Sequence, residues 1–77
     1  MNMAEKFGEL DVVALKAAMH DRGLWAGDEG TVVNVHRGGA SYTVEFMRGD
    51  ETIDVVEIPA GKLRRTWQHT PEVAHAS

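Results

Sequence analysis

The sequence predicts an all-β fold: a small, five-stranded antiparallel barrel with a one-turn helix before its last strand. Three observations lead there. Eight glycines and two prolines cut the 77 residues into short apolar segments, none long enough for an ordinary helix. Those segments are dense in Val, Ile, Tyr and Phe, residues that suit a pleated, half-buried surface. A sheet this small also leaves unpaired edges unless it curls on itself.

Leu10 to Leu15 (LDVVAL) is the first segment. Leu10, Val13, Ala14, Ala17 and Ala18 fall at helical spacing, so a helix over 10–19 is an alternative. A strand over Val12–Leu15 is preferred because everything downstream reads as β. Met19 to Gly30 places Gly23, Gly27 and Gly30 among charges and reads as a long loop. Thr31 to His36 is β-branched and forms the second strand. Gly38-Gly39 supplies the positive φ angles of a tight hairpin. Ser41 to Met47 then alternates cleanly, with Tyr42, Val44 and Phe46 on one face. Arg48-Gly49-Asp50-Glu51 is a turn.

Thr52 to Ile58 is the fourth strand, but Ile53 and Val55 share one face while Val56 and Ile58 share the other. A bulge or sharp coil produces such a slip. Pro59 removes a backbone donor and ends the strand. Pro59 to Leu63 reads as the helical turn, and Arg64 to Trp67 as a short last strand. The expected divisions are an N-terminal arm (1–9), a barrel of the SH3-like kind (10–67) and a flexible tail (68–77). The expected core is Val12, Leu15, Val32 or Val33, Val35, Tyr42, Val44, Phe46, Val55, Ile58 and Leu63.

The strings Leu10-Asp11-Val12-Val13-Ala14-Leu15, Gly23-Leu24-Trp25-Ala26-Gly27-Asp28-Glu29-Gly30-Thr31-Val32-Val33 and Tyr42-Thr43-Val44-Glu45-Phe46 resemble a family of small bacterial proteins of unknown function. The resemblance runs from Leu10 to about Leu63. The pattern G-D-x-G-T-V-V followed by Y-x-V-E-F is also similar to the barrel of the nitrile hydratase beta subunit and, more loosely, to KOW modules. These likenesses imply an SH3-like barrel and carry over no catalytic residue. Nitrile hydratase holds its metal in a cysteine cluster on the other subunit, and this chain has no cysteine. Read physically, Gly27 and Gly30 let the chain reverse before a strand, and Asp28 accepts a backbone N–H within the turn.

Eight Lys and Arg against twelve Asp and Glu give a net charge of −4. That balance argues against non-specific nucleic-acid binding, which rests on neutralising phosphates. Without cysteine, a disulfide scaffold, a thiol nucleophile and a cysteine-based zinc site are excluded. The N-terminal residues lack the basic stretch and apolar run of a secretory signal, so the expected location is cytoplasmic. A core of this size usually supplies no more than about 3–5 kcal/mol, which makes self-association or a partner protein an expectation.

His20, His36, His69 and His75 show no metal-ligand spacing, so no metal and no cofactor are expected. Ser41, Thr31, Thr43, Asp54 and Glu45 read as a solvated strand face, and a chain this short has little room for a catalytic pocket. Arg48-Gly49-Asp50 matches an adhesion tripeptide but has the composition of a turn. Protein binding is the favoured function: Trp25, with Leu24 beside it, and Trp67 are expected to border one groove, because Trp is enriched at interface hot spots. For Leu24 and Trp25 the competing reading is a lid closing one barrel end.

The second function is RNA or ribosome association through Lys62, Arg64, Arg65 and Trp67, a stacking aromatic beside cations. Residues 61–77 hold those three cations against Glu72 alone, whereas residues 1–60 carry five cations and eleven acids. Nucleic acid is the less favoured partner on that account. An assembly factor for a nitrile-hydratase-like enzyme is a remote third option, by fold analogy alone.

Overall fold

The computed structural model describes residues 6–68. Residues 1–5, and the tail from 69 onward with His69 and His75, lie outside the described residues. Five strands form one antiparallel sheet in the order β4-β3-β2-β1-β5, curled into a small barrel. They are β1 (Val12–Leu15), β2 (Glu29–His36), β3 (Ser41–Arg48), β4 (Glu51–Pro59) and β5 (Leu63–Trp67). Short 3-10 turns at His20–Arg22 and Ala60–Lys62 are the helical elements among the described residues. No helix there is long and apolar enough to cross a membrane. The strand reading of Val12–Leu15 therefore holds over the helical one, and the turn before the last strand is where the sequence places it.

The β2–β3 hairpin shows why Gly-Gly stands there. Arg37, Gly38 and Gly39 all have positive φ, at 48°, 67° and 107°. Only glycine populates that region without steric cost, so two of the three positions are glycine. Gly30 serves differently. It pairs with Val13 on one side and Phe46 on the other. A Cβ there would meet Val44 Cγ1 at 2.6 Å and the Glu45 carbonyl oxygen at 2.7 Å. Gly30 is thus required by close strand packing rather than by chain reversal, correcting the expectation from its motif.

Three bulges bend the strands into a barrel. In β3–β4 the register steps from Phe46↔Asp54 to Met47↔Thr52 and leaves Ile53 as the extra residue. That is the slip legible in the β4 pattern. Val56 and Ile58 face inward, and Val55, expected in the core, is 51% exposed. In β2–β3 the register skips Val33, between Val32↔Val44 and Asn34↔Thr43. A bulge bends its strand, and Val35 beyond it is left 36% exposed rather than in the core. In β1–β5 the extra residue is Thr66.

Val13 is fully buried, whereas Val12 is only half-buried. The inner faces bury Val13, Leu15, Val32, Tyr42, Val44, Phe46, Val56, Ile58 and Leu63. Two further residues close the core. Phe7, upstream of β1, is buried against Tyr42 with ring centroids 5.1 Å apart in an edge contact. Leu24, from the loop between β1 and β2, is buried where Arg22 bonds Asp54 and Arg48 reaches the Gly23 carbonyl.

The outer edge of β4 is protected. Pro59 has no N–H to offer, and the Val55 N–H is taken by the Asp54 carboxylate at 2.8 Å. Glu51, Asp54 and Glu57 add charge along it. These are devices by which edge strands avoid pairing with other chains.

Candidate functional site

The long loop from Lys16 to Asp28 is held at several points. Its ends are tied to β1, because the Gly27 N–H donates to the Leu15 carbonyl at 2.8 Å and the Leu15 N–H to the Asp28 carbonyl at 2.9 Å. A backbone bridge joins Met19 and Leu24, and Gly23, at φ 72°, ends the 3-10 turn between them. The Trp25 N–H donates to Asp28 Oδ2 at 2.9 Å, the Asx bond that the motif predicts. Arg48 pairs with the same oxygen at 2.7 Å and also donates to the Gly23 carbonyl at 3.2 Å. The Arg-Gly-Asp string therefore works inside the fold, its arginine clamping the loop.

The outcome is a loop with a buried anchor and an exposed tip. Leu24 is buried, so it is corrected from a partner contact to the anchor that fixes the loop. Trp25 is 56% exposed and carries an edge contact from His20, at 4.9 Å between ring centroids. Trp25 is thus not a lid; Leu24 closes that end, with Met19 of the same loop packed against the core. Trp67 is 53% exposed. It pairs with Val12 at the start of β1, whereas Trp25 lies beyond Leu15 at its end. The two indoles occupy opposite ends of β1 and do not border one groove.

Asp28 is the electrostatic centre of this loop. The Trp25 N–H above all holds its carboxyl below the usual aspartate range; burial opposes it, and the Arg48 guanidinium adds to the lowering. A depressed folded-state pKa means stability present at neutral pH and lost as pH falls through that lowered value. In a Trp67→Phe background, Trp25 emission is expected to change on acidification with a midpoint below the ordinary aspartate value of about 3.9. Asp28→Asn is expected to show the loosened emission already at neutral pH. A midpoint at or above the ordinary value counts against the clamp.

The outer face of β2, β3 and β4 carries the hydroxyls and acids considered for catalysis. Ser41 Oγ donates to Glu57 Oε2 at 2.5 Å, and His36 Nε2 shares a 2.6 Å hydrogen bond with Thr43 Oγ1. The Ser41 hydroxyl, with His36 and Arg37 nearby, lowers the Glu57 pKa. Hydroxyl and imidazole are bonded to different partners, so the geometry does not wire a nucleophile to a base as acyl transfer needs. Among the described residues no three His, Asp or Glu side chains gather as a metal site.

The basic cluster divides. Arg65 turns toward the arm: it donates to the Lys6 carbonyl at 2.6 Å, stands 3.5 Å from buried Asp11, and lies over the Phe7 ring at 5.5 Å. It is a structural residue of the barrel, which corrects its place among nucleic-acid contacts. Lys62 and Arg64 are exposed. Arg65 and Phe7 carry no local sequence signal for these roles; an aromatic just upstream of a small barrel's first strand is the nearest to one.

No curated protein and no solved structure matches the chain. The nitrile hydratase and KOW likenesses thus gain no support from a match, while the stretch from Leu10 to Leu63 that suggested an uncharacterised family lies within a family match. A model described as Domain of unknown function (DUF4926) covers residues 9–65, from just before the L-D-x-V-A-L string to the middle of β5, and the chain belongs to that family.

Proposed function

We propose that the chain is a non-catalytic protein-binding module that presents Trp25 to its partner. The observation that carries this reading is an indole 56% exposed at the tip of a loop tied down on both sides of it. Leu24 is buried below it, Asp28 and Arg48 fix its backbone, and Arg22 bonds Asp54 at 3.0 Å beside it. A side chain presented from an ordered loop loses little entropy on binding, and a large amphipathic ring contributes most where water is excluded.

The test uses the whole protein as bait in lysate of its native host, followed by titration of the purified partner. Trp25→Ala is expected to keep the wild-type melting curve and weaken that partner's binding at least ~30-fold, the scale of a hot spot of about 2 kcal/mol. A partner bound equally well by Trp25→Ala would refute this surface.

A further inference from the structure

We propose that the outer face of the β1–β5 seam binds single-stranded nucleic acid, through Lys16, Lys62, Arg64 and Trp67. The inference goes beyond the Trp25 reading and uses a different surface.

Most of the cations are already engaged. Arg22, Arg37, Arg48 and Arg65 stand beside Asp54, Glu57, Asp28 and Asp11, respectively. Lys6 reaches the Gly38 carbonyl at 3.3 Å. Lys16, Lys62 and Arg64 remain, and none makes an ion pair within the described residues, although the chain carries twelve acids. These three surround a single cross-strand pair. Leu15 faces Leu63, both buried; Lys16 follows Leu15, while Lys62 and Arg64 flank Leu63. The Lys16 N–H donates to the Lys62 carbonyl at 2.9 Å, so the two lysines start from adjoining backbone. By register Asp28 stands across from Leu15, with its carboxylate on Arg48, and Glu29 lies two strands from Arg64 across Ala14.

Like charges on neighbouring strands repel, so this grouping destabilises the fold slightly unless something anionic offsets it. Trp67 gives the row its second element. It pairs with Val12, two residues along β1 from the Ala14 that faces Arg64. Val12 and Ala14 lie on the same side of the strand, so Trp67 and Arg64 do too, about 7 Å apart along it. A cationic row ending in an exposed indole matches a phosphate backbone whose terminal base stacks on the ring. An acidic peptide would use the cations but has no need of the indole. The acidic total is no bar, since attraction depends on the local field, and here three cations stand against Glu29 across Ala14.

The experiment measures anisotropy of fluorescein-labelled oligo-dT and oligo-U, about twelve nucleotides long, between about 50 and 200 mM salt. Three phosphate contacts on a single strand predict a slope of about −2 in log K against log salt. Removing two of them with Lys62→Gln/Arg64→Gln is expected to bring the slope to about −0.7. Trp67→Ala is expected to lower affinity about 5- to 150-fold without changing the slope, and Trp67→Phe to retain most of it. Arg37→Gln, which removes a distant exposed charge, is expected to leave affinity within about twofold. Melting curves verify that each variant is folded. Absence of binding at the lowest salt, or binding indifferent to these changes, overturns the proposal. So does polyglutamate competing as well as the oligonucleotides with no effect of Trp67→Ala, which would make the surface an acidic-peptide site.

Discussion

Gly30→Ala is expected to destabilise the fold severely, although it adds a single methyl group. The added Cβ would lie 2.6 Å from Val44 Cγ1, 2.7 Å from the Glu45 carbonyl oxygen and 3.0 Å from Phe46 Cδ1. A flexible side-chain tip can move aside, but a carbonyl of β3, which is paired on both sides, moves only with its hydrogen-bond ladder. Overpacking a core costs about 1–3 kcal/mol and more where backbone must shift. A domain with a core of this size usually has no more than about 3–5 kcal/mol in total. The change is therefore expected to lower the melting temperature by at least about 10–20 °C, at roughly 4–8 °C per kcal/mol for a small domain. Gly61→Ala is the control, since nothing lies within 4 Å of its added Cβ and its φ is not positive. Equal melting curves for the two variants would show that β2 and β3 are not held this closely at Gly30.

The contrast between those two glycines shows what the sequence could reveal. Strand positions were legible because turn chemistry is local: Gly38-Gly39 needs positive φ, Pro59 lacks an N–H, and Ser41–Met47 alternates within itself. The slip at Ile53–Val56 was legible for the same reason, since a bulge disturbs the pattern of its own strand. The bulge at Val33 left no such trace in a run of β-branched residues, and Val35 was misplaced as core. At the candidate site, the Asp28 turn was readable from its motif, but not which neighbour faces inward. Leu24 and Trp25 are both apolar loop residues, and only burial in the core cluster and the loop's ties to β4 and Arg48 send the leucine in and leave the indole out. Arg65 and Arg64 differ likewise by one position of strand alternation, which turns one to buried Asp11 and the other to water. Lys16 joined the basic row only once β1 and β5 were paired, because 46 residues of chain separate it from Lys62.

Phe7→Ala is expected to cost about 3–5 kcal/mol, the usual range for truncating a buried Phe, and so to leave the protein largely unfolded at room temperature. Nothing near Phe7 predicts this weight; its burial comes from the mouth of the barrel. There its ring meets the edge of Tyr42 on one side and the Arg65 guanidinium on another. Its N–H donates to the Tyr42 hydroxyl at 2.9 Å, and the preceding carbonyl of Lys6 accepts from Arg65. Next to it the Asp11 carboxylate accepts the Gly8 N–H at 2.8 Å, so arm, β1 and β5 meet in one polar and aromatic junction. Tyr42→Phe keeps the ring and removes only the acceptor for the Phe7 N–H, which is expected to cost about 1 kcal/mol. Because the two residues touch, their effects are expected to be non-additive by about 0.5 kcal/mol or more in urea unfolding. A Phe7→Ala cost within about 0.5 kcal/mol of zero, as for an ordinary surface substitution, would show that the arm does not seal the barrel. The fold would then have to hold Tyr42 and Arg65 without it.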